Sequence, residues 1–461
     1  MAKQTWRVEG RVEVRHLLPE LASIKGERSP LSGITVKVQA RSKVLFGWGT
    51  WASWGEVTTD GNGEFCVVKS KGSDRRQFRV KILFDDERLR LKEGGETSVT
   101  FGGDGFPIDI NLDLTDKDWF TIHDDKESAE DGRKAGTHNL GTLTATPRRC
   151  RQLADLWVLF NLALDEFDEM GPNFGLDRKQ VVKYPMGIAN NSEASASYSN
   201  PINGTVYIKE DEYTARTILH EFMHQWAYDR TTGEDAMAWQ LIKHGSTHAA
   251  REFTTFVPFH EGFADWAAYE MLRCMSGGTL TKFLEDNSDS MPGHPFSRAH
   301  LAEPLAASER HLDNVDYMER GWRSLFTLLT YNNLAALNFD STSDFAERDS
   351  GFGRKYDSPN LTFRAVLDIL NRHSDIPGAT GRLSNDDLNF ADILDRAQRV
   401  HPELTDEVIE AIESSLDPNA TGNPWVPQYF MDVDKIGPEL EGPLGTGSHS
   451  WEAVVTPKKP S

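Results

Sequence analysis

The sequence predicts a multidomain protein: an N-terminal all-β sandwich over residues 1–115, then an α+β, mainly helical part. Three patterns lead there. Short runs of alternating apolar and polar residues fill the first quarter of the chain, as half-buried strands require. Between two of these runs stands Asp60-Gly61-Asn62-Gly63, whose Asp-Gly and Asn-Gly pairs supply the positive φ angles of a tight hairpin. From about residue 213 the apolar spacing changes to the three-to-four-residue repeat of amphipathic helices.

In chain order, the strand runs include Val8, Val12 and Val14, then Ile34-Thr35-Val36-Lys37-Val38, then Phe78-Arg79-Val80-Lys81-Ile82. Trp48, Trp51 and Trp54 in the same region form either a binding patch or part of the core. Residues 116–147 are polar and rich in Asp, Lys and Gly, which predicts a linker with one late strand near 140–144. A helix is expected over about 149–170, stopped by Gly171-Pro172. Strands are expected at 181–184 and 205–208, around a Ser/Asn-rich loop at 190–203. Helical patterns follow at about 213–228, 261–275, 316–334, 361–373, 387–400 and 405–415. Ser384 with Asp387 fits a helix-start capping pattern. Residues 417–461 are rich in Pro and Gly and read as a tail.

Composition narrows the function classes. At 461 residues the chain exceeds one ordinary core, and its charged fraction of 26% is that of a water-soluble protein. The net charge of −21 repels phosphate backbones, so a nucleic-acid partner is not expected. No apolar run reaches the roughly 18 residues that span a bilayer, so no transmembrane segment is expected. The three cysteines, Cys66, Cys150 and Cys274, are widely spaced and form neither a disulfide framework nor a CxxC pair. The N-terminus lacks the apolar region of a secretory signal, so a cytoplasmic location is the default expectation, with leaderless secretion as the alternative. Nothing in the sequence sets an oligomeric state.

The strongest chemical signal is His220-Glu221-Phe222-Met223-His224. The preceding Ala215, Ile218 and Leu219 recur at helical spacing, and residues four apart on a helix lie about 6 Å from each other on one face. Two imidazoles so placed can share one ion at about 2.0–2.1 Å. Glu221 stands one step round the helix, where it can reach a water instead. With 14 histidines in 461 residues, a chance HExxH is expected about three times in a hundred such chains, so the motif needs support. Support comes from Glu261-Gly262-Phe263-Ala264-Asp265, which begins 37 residues after His224 and sets two carboxylates on one helix face. Glu261 can complete the ligand set, with the fourth position open for water. Asp265 can hold the far nitrogen of a ligand histidine. His260 and Asp265 are rival third ligands.

HEFMH followed by EGFAD resembles the gluzincin metallopeptidases, which pair HExxH with a later E-x-x-x-D on a second helix. The resemblance covers about residues 180–335 and implies a thermolysin-like metallopeptidase domain over 148–335 with a C-terminal helical part over 336–416. It further implies one zinc ion on His220, His224 and Glu261, with Glu221 as general base. Asp265 would stand behind His220, and a peptide or protein would be the substrate. Tyr317, in Tyr317-Met318-Glu319-Arg320-Gly321, is similar to the oxyanion-stabilising tyrosine of the aminopeptidase branch, although Arg320 stands where that branch has Lys and one extra residue separates Tyr from Gly. His311 and Tyr331 are weaker candidates for that role. The aminopeptidase Gly-x-Met-Glu-Asn motif is absent, so strand 205–208 or loop 190–203 is expected to bind extended substrate through its main chain. Separately, Pro30-Leu31-Ser32-Gly33-Ile34-Thr35-Val36 and the TTDGNGEF run resemble a transthyretin-like or carboxypeptidase-regulatory-like sandwich, which implies an accessory module. Two other readings remain at this level: a zinc-containing binding protein without catalysis, and a zinc hydrolase of non-peptide amides or esters.

Overall fold

The structure is a computed structural model. It describes residues 3–45, 47–72, 74–93, 99–100, 107–108, 119–128, 131–185, 197–200, 204–231, 256–276, 322, 325–326, 329–330, 361–373, 375–377, 379–383 and 388–416. The elements in chain order are β1 (Gln4–Arg15), α1 (Pro19–Lys25), β2 (Arg28–Pro30), β3 (Thr35–Val44), β4 (Gly47–Trp48), β5 (Ala52–Thr58), β6 (Glu64–Lys71), β7 (Arg76–Leu83), β8 (Leu89–Lys92), β9 (Val99–Thr100), β10 (Pro107–Ile108), β11 (Phe120–Asp124), α2 (Asp125–Ser128) and β12 (Gly136–Thr144). There follow α3 (Arg148–Met170), β13 (Gln180–Lys183), β14 (Tyr198–Asn200), β15 (Thr205–Tyr207), α4 (Ala215–Arg230), α5 (Phe256–Met275), α6 (Phe363–Leu370), α7 (Phe390–Val400) and α8 (Asp406–Leu416).

Two sheets form the N-terminal part. In the first, β1 lies between β6, antiparallel, and β12, parallel, with β2 pairing its end. The second runs β11-β7-β3, with β5 and β4 on the other side of β3. Period-two burial along β3 puts Val36, Val38 and Ala40 inward and Lys37, Gln39 and Arg41 outward. The sheets meet through Trp6, whose ring contacts Trp54 edge-on at 6.2 Å and Phe78 at 5.9 Å. Trp54 therefore belongs to the core, whereas Trp48 and Trp51 lie half-buried at the outer side. The Asp60–Gly63 run does form a tight turn, in which Asp60 accepts from the backbone N–H groups of Asn62 (2.9 Å) and Glu64 (2.8 Å). It closes no hairpin: β5 before it pairs with β3 and β6 after it with β1, so the turn carries the chain from one sheet to the other. Gly63 takes φ +74°, and a Cβ there would come within 2.4 Å of the Val12 carbonyl oxygen.

A third sheet overturns the expected fold class. β8 from the first hundred residues runs parallel to β13, β13 runs parallel to β15, and β14 closes the sheet antiparallel. The half that carries the HEFMH helix thus draws a strand from the part expected to be a self-contained sandwich. The described residues hold fifteen strands, all before Ile208, and helices after it, so strand and helix are both major parts of the fold. A sandwich followed by a mainly helical, thermolysin-like domain is not what the chain adopts. The physical reason lies in parallel pairing, which joins strands far apart in sequence and leaves no local signature such as a hairpin turn. Residues 116–147, read as a linker, contribute β11 and β12 to the two N-terminal sheets.

Helix α3 ties the parts together. Its buried Trp157 packs on Phe84 at 6.0 Å and donates its indole N–H to the Ser32 carbonyl at 2.9 Å. Asp155, fully buried on the same helix, accepts from the backbone N–H groups of Leu17 (2.6 Å) and Leu18 (3.0 Å) and lies 2.7 Å from His16 Nδ1. His16 Nε2 is 2.7 Å from Ser29 Oγ, so one buried polar chain links β1, β2 and α3. At its far end Phe160 and Phe167 meet Phe222 of α4 at 5.0 and 5.9 Å. The last helices keep close to the expected places, but α7 is capped by Asn389, whose side chain accepts from Asp392 N at 2.9 Å. The Ser384–Asp387 pattern, the tail after 416, Tyr317, His311 and Tyr331 lie outside the described residues. No helix among the described residues is long and apolar enough to cross a membrane.

Candidate metal centre

Helix α4 starts where the sequence supplies a cap: the Thr214 hydroxyl accepts from Thr217 N at 3.2 Å. Its inner face carries Ile218, Leu219, Phe222, Met223 and Trp226, all buried. Each such side chain stabilises the fold by roughly 1.5–3 kcal/mol on removal from water. Helix α5 answers with Phe259, Phe263, Trp266 and three alanines, Ala264, Ala267 and Ala268. The small residues let the helices approach, and Trp226 stacks on Phe263 at 5.5 Å. Packing of these faces leaves the two polar edges facing each other at one end.

There His220 Nε2 lies 3.1 Å from Glu261 Oε2, His224 Nε2 lies 3.0 Å from His220 Nε2, and His224 Nε2 lies 3.3 Å from Glu261 Oε2. Three donor atoms thus form a nearly equilateral triangle. Tetrahedral binding at 2.0–2.1 Å requires donors about 3.3–3.4 Å apart, so each side of the triangle is within a few tenths of an ångström of the requirement. His220, His224 and Glu261 can hold a metal ion. The His220 and Glu261 side chains keep 15% and 13% of their surface exposed, so the group is reachable from solvent. His224 is buried against Tyr228, whose ring stacks on it at 5.9 Å.

Asp265 sits behind His220, its Oδ1 3.0 Å from His220 Nδ1, which directs Nε2 toward the triangle. The same oxygen accepts from Arg216 Nη2 at 2.6 Å. Asp265 therefore does not compete as a third ligand. Nor does His260: its Nε2 is 3.3 Å from Thr231 Oγ1, and its ring centre lies 6.4 Å from that of His224. Burial, aided by the neighbouring His224, holds His260 well below the usual histidine range, so it stays neutral. Burial also pushes His220 down, but its contacts with Asp265 and Glu261 and the charges of Asp265 and Glu221 outweigh that and raise it well above the ordinary value. The pocket is negative, as a cation-binding pocket should be. Glu221 is buried beside the group. The Tyr228 phenol is pushed well up by burial and by the charges of Glu261 and Glu221.

Two of these neighbours were within reach of sequence reasoning. Arg216 lies four residues before His220 and Tyr228 four after His224, both on the face that carries the motif. The tie from α4 to the sheet was not: Gln225 donates to Ser199 Oγ and to the Asn200 carbonyl at 3.2 Å, fixing β14 beside the helix. Strand 205–208, one of the two expected substrate-binding segments, is interior, paired on both sides as β15. Within the other, β14 is the outer strand of its sheet among the described residues.

No protein-family model matches this chain, and no curated protein matches it. Among solved structures, it is similar to a 9R-lipoxygenase from Cyanothece, at 12% identity and a TM-score of 0.16, over 68% of this chain and 31% of that one. The chain spans under a third of that enzyme's length, and a likeness at this level fixes neither fold nor activity.

Proposed function

We propose that this protein is a zinc-dependent peptidase of the gluzincin kind. One observation carries the reading: two imidazole nitrogens and one carboxylate oxygen converge at 3.0–3.3 Å, on two different helices, with a buried glutamate beside them. The donor set supports zinc, since two histidines and a carboxylate with an open position are typical of its catalytic sites. When bound there, zinc supplies a Lewis acid for the scissile carbonyl and lowers the pKa of water toward about 7.

The remaining work falls to the chain's own side chains. Glu221 accepts the proton of the attacking water and delivers it to the leaving nitrogen. Asp265 keeps His220 in the tautomer that presents Nε2, and Arg216 holds the Asp265 carboxylate in place. Tyr317 is the proposed donor to the developing oxyanion. An extended peptide binds along β14 by main-chain hydrogen bonds, with Gln225 fixing that strand over the motif helix.

A structural metal site has no use for a buried glutamate next to its ligands, which favours catalysis over a purely structural ion. The test is hydrolysis of unfolded casein by the full chain, with and without chelator, beside Glu221→Gln. Chelator-sensitive cleavage that Glu221→Gln abolishes supports the reading. Metal binding without cleavage of casein or any peptide library overturns the peptidase assignment. Cleavage of non-peptide amides or esters alone replaces it with the broader hydrolase.

A further inference from the structure

The hairpin of β3 and β4 pairs Lys43 with Trp48 and Val44 with Gly47, and Leu45 stands in the turn that follows β3. Such turns favour Gly, Asn or Asp, because these tolerate positive φ or bond their own backbone. This chain places the large apolar Leu45 there instead. Leu45 is 95% exposed and Val44 53% exposed. The fold gains nothing from apolar side chains held in water.

Below the apex the hairpin is braced. The Arg41 guanidinium lies 5.7 Å from the Trp48 ring centre and 4.6 Å from that of Trp51, and Arg79 lies 4.3 Å from Trp51. Trp48 packs on the backbone at Gly132, where a Cβ would come within 2.4 Å of the indole. Lys43 N donates to the Arg75 carbonyl and Gly49 N to the Ser42 carbonyl, each at 3.0 Å. The apex is thus held out from a rigid base.

That base is cationic. Arg76 donates to Ser42 Oγ at 2.7 Å, and Arg75 donates to the Asp131 carbonyl at 3.3 Å, which gathers Arg41, Lys43, Arg75 and Arg76 around the hairpin. Lys43 lies 4.0 Å from the exposed Asp131 carboxylate. Asp125 is buried and engaged by Arg133 and His123. On a chain of net charge −21, the hairpin thus gathers several cations, with the exposed Asp74 and Asp131 among them. An apolar tip above a cationic collar matches a bilayer interface, where acyl chains lie under anionic headgroups.

We propose that the β3–β4 hairpin docks the protein on an anionic lipid surface: Val44 and Leu45 enter the headgroup–acyl boundary while Arg41, Lys43 and Arg75 meet lipid phosphates. Two small apolar insertions give reversible attachment, so high salt detaches the protein. The docking is independent of the metal centre.

The experiment is co-sedimentation of the full chain with vesicles of pure phosphatidylcholine and of equimolar phosphatidylcholine and phosphatidylserine. Binding to the anionic vesicles is expected, about tenfold weaker in V44S/L45S and about fivefold weaker in Lys43→Glu. Both variants should keep the wild-type thermal unfolding temperature. Three results overturn the proposal: no binding by the wild type, undiminished binding by V44S/L45S, or equal binding to neutral and anionic vesicles. Lipid-free self-association that V44S/L45S abolishes, without vesicle binding, reassigns the tip to contact between copies of the chain.

Discussion

Replacing Asp265 by Asn keeps the shape of the residue behind His220 but removes its charge. In the wild type one carboxylate oxygen lies 3.0 Å from His220 Nδ1 and 2.6 Å from Arg216 Nη2. A hydrogen bond to a charged acceptor is worth about 1.5–3 kcal/mol, against about 0.5–1.5 for a neutral pair, so the loss at His220 is about 1–1.5 kcal/mol. Arg216 loses its counter-ion as well, but its side chain is 23% exposed, so water takes up part of that loss and the share is below about 1 kcal/mol. Only the His220 part enters metal affinity directly. It corresponds to a zinc dissociation constant raised about 10-fold, at the lower end of the 10- to 100-fold range for such partners. Competition of the metal-free protein against a chromogenic chelator reads this directly, and thermal unfolding without metal separates the Arg216 contribution. Zinc affinity within about twofold of wild type, in a protein that folds normally, would refute the role given to Asp265.

Glu221→Gln should bind one zinc with near wild-type affinity and lose about 100- to 10,000-fold in turnover, measured by peptide hydrolysis beside elemental analysis. Retained turnover would show that another group takes the proton. Asp155→Ala strips His16 and two backbone N–H groups of a buried acceptor, and should destabilise the protein by about 3–5 kcal/mol in urea unfolding. A loss below about 0.5 kcal/mol would mean that water replaces the carboxylate. Burial pushes the Cys150 thiol up from 9.0 to about 12, so it should resist alkylation in the folded protein at pH 8, while the partly exposed Cys66 reacts first. The sign for stability follows: the folded state keeps the thiol proton that the unfolded chain releases above pH 9, so the contribution is full at neutral pH and falls as pH rises from about 9 to 12. Loss of that fall in Cys150→Ala, followed by urea midpoint against pH, checks the assignment.

The sequence made the site more legible than the fold, for physical reasons. HEFMH needs only the helix repeat to bring its histidines together, and the apolar residues of α4 announce that repeat. EGFAD works the same way on α5, so each half of the metal group is a local pattern. That the halves meet depends on Phe222, Trp226, Phe263 and the small alanines, whose packing partners no local pattern names. The same limit hid the third sheet. Leu89–Lys92 reads as one more strand of the N-terminal part, yet it pairs parallel with Gln180–Lys183 across about ninety residues of chain. Gly136–Thr144 sits in a polar stretch because only alternate residues face the core, and its parallel partner is the first strand. The Asp155–His16–Ser29 chain is of this kind too, since nothing near Asp155 in sequence reveals that its partners lie at residues 16–18.

X-ray absorption at the zinc edge, on full-length protein reconstituted with one equivalent of the metal, puts the shared role of α4 and α5 to the most direct test. The spectrum should contain two imidazole nitrogens and a carboxylate oxygen around each ion, with the imidazole signal halved or the metal lost in His224→Ala. A folded protein that takes up no zinc, a sulfur-containing shell, or a spectrum unchanged by His224→Ala would contradict the account at its root.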